Sequence, residues 1–206
     1  LGRNRRGNEF RNELNLADKF IVFFGGVIGP SQGLTFIVEI ARKIKEYSDI
    51  VFLVVGDGTE KERLTKMVEN DNLKNVLFHP FISKEEYAKL LSEVDVGLVC
   101  LSSLNKTPVV PGKLLSYMAA GIPVLAFLNK ESDGHKIIRQ AQCGFSCASN
   151  DVDEAVRLLL KMYNNKKNLS EIGNNGYQYA KKFFSKEVCI DKIEELFLNN
   201  NFEEQK

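Results

Sequence analysis

Two short segments of this sequence combine residue types that can hold an anionic ligand. The first is Gly25-Gly26-Val27-Ile28-Gly29-Pro30-Ser31-Gln32-Gly33, which follows an apolar run and leads into a helical pattern. Glycine has no Cβ, so the backbone there can approach a ligand closely and adopt positive φ. A helix start adds free amide donors and a positive dipole end suited to phosphate. The spacing is not G-x-G-x-x-G, and no acidic residue closes the second apolar run in the manner of dinucleotide sites, which disfavours a nicotinamide cofactor. The second segment is Val109-Val110-Pro111-Gly112-Lys113-Leu114-Leu115-Ser116-Tyr117-Met118-Ala119-Ala120-Gly121. Pro111 and Gly112 shape the entry to a helix, and Lys113 stands in its first turn. A cation there opposes the helix dipole by about a few tenths of a kcal/mol. A bound diphosphate would offset that through amide hydrogen bonds and a charge-assisted lysine contact.

The other reactive residue types fall less usefully. The histidines are His79 and His135, and the cysteines are Cys100, Cys143, Cys147 and Cys189. Cys143 and Cys147 are spaced C-x3-C, which is not a zinc pattern of the C-x2-C type. Free thiols are expected. No carboxylate cluster adjoins the expected phosphate contacts, so no metal is implied.

The elements that must position these segments are legible from periodicity. Continuous apolar runs of the kind buried on both faces of a sheet occur at KFIVFFGG, DIVFLVVGDG, NVLFHPF, DVGLVCL and PVLAFL, with GFSCAS as a weaker sixth. Helical periodicity lies between them; Leu34, Ile37, Val38, Ala41 and Ile44 mark one face. Thr59 with Glu62, and Ser83 with Glu86, have the spacing of capping boxes. Terminal helices are expected at 151–163, 169–183 and 185–198. This alternation implies an α/β fold, a doubly wound, Rossmann-like parallel sheet of about six strands. With strand order 3-2-1-4-5-6 the sheet reverses between strands one and four, and ligands bind beyond the carboxyl ends of those strands. The glycine turn and the loop before Lys113 both leave the sheet there.

Composition limits the partners. Lys and Arg number 28 against 27 Asp and Glu, a net charge of +1, which gives no support for nucleic acid. Arg3, Arg5, Arg6 and Arg11 crowd the first dozen residues, read as a solvated tail with an anionic membrane surface as the sharper alternative. No signal peptide opens the chain and no apolar run reaches the roughly 20 residues of a membrane span. A cytoplasmic protein is expected.

PGKLLSYMAAGIPVLA closely resembles the donor-site helix of the family 4 retaining glycosyltransferases, in the P-x-K-L…Y-M-A-A-G-x-P-V version found in capsule, O-antigen and exopolysaccharide assembly. FFGGVIGPSQGL is similar to their first strand and glycine turn, FLVVGDGTEKERL to their second, and NVLFHPFISKEEYAKLLSEVDVGLV to their third and fourth βα units. IGNNGYQYAKKFFSKE resembles their terminal helices. The resemblance covers residues 10–198 and implies one half of a GT-B fold, the half that binds a nucleotide-diphosphate sugar. It also implies no cofactor beyond that donor.

Residue by residue, the resemblance places amides around Gly26, Gly29 and Gly33 near the diphosphate and sugar. Gly56, Phe81 and Ile82 would line the base pocket, with Pro111, Gly112, Lys113, Leu114 and Leu115 cradling phosphates. Ser116 and Pro108 stand where many members carry the two acids of E-x7-E, and Gly26 and Gln32 where many carry Arg and Lys. Lys113 is then the main cation near the leaving group, and no catalytic residue is named. The resemblance further implies an inter-domain lead-in at 1–18, the donor-binding domain at 19–185, and a C-terminal helix with a frayed tail at 186–206. An N-terminal acceptor domain would be missing, the fragment would be inactive alone, and peripheral membrane association of the full-length enzyme stays open. Uridine and an N-acetylamino sugar are the donor expected from the subgroup. The alternatives are a GT-B sugar-nucleotide epimerase half and a non-catalytic nucleotide-binding α/β module.

Overall fold

Strands form where apolar residues run without interruption, because a parallel sheet covered by helices buries both faces of each strand. The computed structural model describes residues 8–200, with side chains to 198. Its strands are β1 (Phe20–Gly25), β2 (Ile50–Val55), β3 (Val76–His79), β4 (Val96–Cys100), β5 (Val124–Leu128) and β6 (Gly144–Ala148). Every residue of β1, β2, β4 and β5 is buried. All neighbouring pairs are parallel and the order is β3-β2-β1-β4-β5-β6. The sheet therefore reverses between β1 and β4, as the alternation of elements predicts.

Helices α1 (Glu9–Glu13), α2 (Thr35–Lys43), α3 (Lys61–Asn70), α4 (Lys84–Glu93), α5 (Gly112–Ala119), α6 (Gly134–Ala141), α7 (Val152–Asn164), α8 (Leu169–Phe184) and α9 (Lys186–Asn200) complete the described chain. The sheet separates two cores. Phe24, Phe36, Ile40, Phe52 and Leu159 share one, under α2, α3 and α7. Phe23, Leu53, Leu90, Leu114, Tyr117 and Ile138 share the other, under α4, α5 and α6. The glycine before α8's Tyr177, Gly176, and Gly173 let that helix lie against Cys143 and against the Gly121 turn, where a Cβ would collide.

Two local expectations are corrected. Ser83 does form a reciprocal capping box with Glu86 at the start of α4, but Thr59 and Glu62 do not cap α3. That helix begins at Lys61 with no side-chain cap. Its first amides are satisfied from elsewhere: Glu60 N–H donates to the Ile28 carbonyl at 3.1 Å and Lys61 N–H to Gly58 at 3.1 Å. The Lys61 amide, one of the two donors that a cap at Thr59 could bond, is thereby taken by the Gly58 carbonyl.

Arg11 is the second correction. Read as part of a solvated tail, its side chain is instead 2% exposed, and it ion-pairs with Asp95 at 2.7 Å. The guanidinium also donates to the carbonyls of Glu93 (2.7 Å), Leu16 (3.1 Å), Ala17 (3.3 Å) and Lys19 (2.8 Å). Asp95 in turn accepts from the Ile21 amide at 2.8 Å. This clasp fastens α1 to the amino ends of β1 and β4. Arg3, Arg5 and Arg6 lie outside the described residues, as does the tail from 201. None of the described helices is long and apolar enough to cross a membrane.

Candidate functional site

At the carboxyl end of β1 the chain must turn sharply beside a second turn that follows β2. Gly56 makes this possible. Its φ is +148°, and a Cβ there would overlap the Gly26 carbonyl oxygen, so the two turns touch backbone to backbone. The Gly26 amide donates to the Val55 carbonyl at 2.9 Å and the Gly33 amide to Pro30 at 3.2 Å. Those two donors are thus occupied by the turn itself. Among the described residues, the amides of Val27 and Gly29 carry no backbone hydrogen bond. Gly26 contributes space instead: a Cβ there would stand 3.0 Å from Lys113 Cε.

Lys113 reaches this turn from α5, across the switch point between β1 and β4. Its ammonium lies 3.3 Å from Gln32 Oε1 and 4.8 Å from the centre of the Phe24 ring. Burial holds its pKa below the ordinary lysine value. Pro111, extended at φ −63° and ψ 127°, caps α5 without a side-chain hydrogen bond. The Leu114 amide closes onto the Pro111 carbonyl at 3.0 Å, which leaves the Gly112 and Lys113 amides at the helix mouth with no carbonyl in the helix to bond. Open space surrounds Gly112. A cation, two amides and a glycine opening therefore converge at one point.

The loop leading to α5 is held from both sides. The Ser102 amide and Asn105 Nδ2 donate to the Ser31 carbonyl at 2.9 and 3.2 Å. Asn129 Nδ2 donates to the Thr107 carbonyl at 3.2 Å, and Ser132 Oγ to that of Val109 at 2.7 Å. These contacts join the glycine turn, the loop and the end of β5 around the crevice.

Beside Lys113 lies a cavity of about 350 Å³ lined by Gly25, Gly26, Val55, Phe81, Ile82 and Tyr87. It is apolar, and Phe81 stands 76% exposed at its edge, a flat ring available for stacking. On the other flank of the turn, Gly29 and Gly33 border a groove of about 490 Å³ with Ser102 and Leu104.

The structure brings together Gly26, Gln32, Gly112 and Lys113, with Phe81 and Ile82 on the adjoining wall. Pro111 caps α5 beside them, and Gly29 and Gly33 border the groove on the other flank. Gly56 packs against the backbone of Gly26 and follows Val55 of the cavity wall. The Leu114 side chain is wholly buried, and its amide is taken by the Pro111 carbonyl. Leu115 and Ser116 border a groove against α8, and Ser116 Oγ donates back to the Gly112 carbonyl at 3.1 Å. Tyr87 is not among the expected site residues, although its position four residues after Ser83 puts it on the same face of α4 as the cap.

Comparison with known proteins shows the family and the fold. The family model described as glycosyl transferases group 1 matches residues 6–179. The chain belongs to that family. Among curated members, WcaI of Escherichia coli K12, whose name assigns it to colanic acid biosynthesis as a glycosyl transferase, is 36% identical over 112 residues, covering 54% of this chain and 27% of WcaI. The glycosyl transferase fold recurs in the crystal structure of Anabaena HepE with UDP and glucose, at TM-score 0.78, 18% identity, and coverage of 92% of this chain and 51% of HepE. The C-terminal domain of a Francisella tularensis group 1 glycosyl transferase, LpcC, superposes at TM-score 0.69 with 21% identity, covering 87% of this chain and 93% of that domain. The chain spans less than half the length of the curated relatives it matches.

Proposed function

We propose that this domain binds the donor of a glycosyl transfer, a nucleotide-diphosphate sugar, in the crevice between β1 and β4. The carrying observation is the approach of Lys113 to Gly26 and Gln32, which joins two segments about eighty residues apart in sequence at one cationic, amide-lined mouth. The diphosphate sits at the α5 start, its charge met by Lys113 and the amides of Gly112 and Lys113. The base enters the apolar cavity beside Phe81 and Tyr87. UDP in HepE, a structural neighbour, supports uridine as that base. As the sugar leaves, these preorganised donors stabilise the charge growing on the diphosphate. Transfer in this reading retains the anomeric configuration and draws on the amides and Lys113 rather than on a metal ion held by this domain.

The acceptor, lipid-linked or saccharide, is proposed to be held by a second domain of the parent enzyme. Support comes from the span of the relatives and from α9, where Ile190, Ile193, Leu196 and Phe197 are exposed. The enzyme would work in the cytoplasm, at the inner face of the membrane where a lipid-linked acceptor is presented.

Calorimetric titration with UDP, UDP-N-acetylglucosamine and UDP-glucose tests the reading. Binding of UDP with Kd in the micromolar to millimolar range is expected, weakened by Lys113→Ala much more than binding of uridine is. Absence of heat with every nucleotide at millimolar concentration would refute it.

A further inference from the structure

Tyr117 is fully buried and touches no ligand space, yet its hydroxyl lies where three parts of the crevice meet. It projects from the same face of α5 as Lys113, one turn later. Its ring fits against Gly97 of β4, where a Cβ would stand 2.5 Å from Cγ, and meets Phe23 edge-on with ring centres 6.2 Å apart. The hydroxyl donates to the Phe23 carbonyl at 3.3 Å. The Gly25 backbone and the Tyr87 hydroxyl lie near enough to act on the same oxygen electrostatically. Phe23 and Gly25 end β1 immediately before Gly26, and Tyr87 walls the apolar cavity. A phenol in an apolar core costs desolvation that a phenylalanine of the same shape would not. Here that hydroxyl ties the lysine-bearing helix to the end of the strand that carries the glycine turn.

We propose that Tyr117 is a positioning residue for the donor diphosphate, fixing α5 against the end of β1 and so setting where the Lys113 ammonium stands relative to Gly26. The proposal rests on the donor-site reading above. Tyr117→Phe removes one oxygen and keeps the ring. In the full chain, UDP affinity is expected to fall roughly five- to tenfold, the size of one buried hydrogen bond, while uridine affinity holds within about twofold. In a Lys113→Ala background the same change is expected to add no further loss, because the hydroxyl acts through the lysine. Equal weakening of UDP and uridine, or an equal UDP loss in both backgrounds, would overturn the proposal by reducing Tyr117 to general support. Wild-type chain that binds no nucleotide would instead sink the donor-site reading itself. Wild-type binding with an unchanged Tyr117→Phe variant would sink only the role of Tyr117. A measurement that keeps the hydroxyl covers a variant that fails to fold. With 3-fluorotyrosine placed at 117, the fluorine resonance is expected to shift on adding UDP and to stay in place on adding uridine. A resonance indifferent to UDP overturns the proposal.

Discussion

Replacing Arg11 with alanine should destabilise the domain by about 3–5 kcal/mol, the cost of removing one partner from a buried ion pair. The structure shows why the value belongs at that level. The guanidinium is 2% exposed, pairs with Asp95, and satisfies four backbone carbonyls around the amino ends of β1 and β4. Alanine would take the guanidinium away from the buried Asp95 carboxylate and one donor from each of those carbonyls, of which Leu16 keeps the Lys19 amide, and water would have to enter to replace them. For a domain of this size the melting temperature should drop on the order of 10 °C. Arg11→Lys should recover only part of the loss, since an ammonium cannot reproduce the fork that reaches Asp95 and the carbonyls together. Urea unfolding of the three proteins, followed by circular dichroism, supplies the free energies. UDP titration of the same samples should show affinity within about twofold of wild type, because six residues of β1, roughly 17–20 Å, separate the clasp from the crevice. A destabilisation under about 1 kcal/mol would refute the view that Arg11 fastens α1 to the sheet. A UDP affinity lowered tenfold in a folded variant would refute the independence of the two ends.

Three further outcomes follow from the crevice. Lys113 is held below its ordinary pKa by burial, so the unfolded chain binds more protons than the folded one as pH approaches the lysine range. The penalty is fully present below the folded pKa and disappears as pH rises through it toward the unfolded value; Lys113→Met should therefore stabilise the ligand-free domain at neutral pH by about 0.5–2 kcal/mol while abolishing diphosphate discrimination, as thermal melts with and without UDP would show. Gly56→Ala forces a Cβ onto the Gly26 carbonyl at φ +148°, and a loss of about 2–4 kcal/mol is expected in urea unfolding, with weaker UDP binding because the turn must move. Phe81→Ala, at an exposed ring, should leave stability within about 0.5 kcal/mol but weaken uridine as much as UDP, by roughly tenfold, if the ring stacks on the base.

Strands were legible because β1, β2, β4 and β5 are buried on both faces and so are written as unbroken apolar runs. The switch point followed from their order. The Ser83 cap was legible for a local reason: both of its hydrogen bonds close within four residues. Thr59 offered the same spacing, but its helix takes its first bonds from Ile28 in another turn, a tertiary contact that no local pattern records. Arg11 failed in the same way, since Glu93 and Asp95 lie more than eighty residues along the chain. Lys113 was picked out by its unfavourable place in a helix start, whereas the partners that hold it, Gln32 and the Phe24 ring, come into reach only when β1 and α5 are side by side. The amides of Gly26 and Gly33 show the opposite limit. Glycine spacing marked the turn correctly, but which donors remain open depends on Val55 and Pro30.

Everything proposed to meet the donor leaves the carboxyl ends of β1, β3 and β4, whereas the Arg11 clasp grips the amino ends of β1 and β4. Rim segments such as 26–33, 80–83 and 102–112 are consequently candidates for grafting from one family member to another, with the two cores beneath them left alone. Within such a graft Ser31 and Ser102 must travel as a pair, since one segment supplies the carbonyl and the other the amide that closes on it. Donor preference could then be reshaped by exchanging cassettes rather than by searching single substitutions, and heat tolerance improved independently at the opposite edge of the sheet.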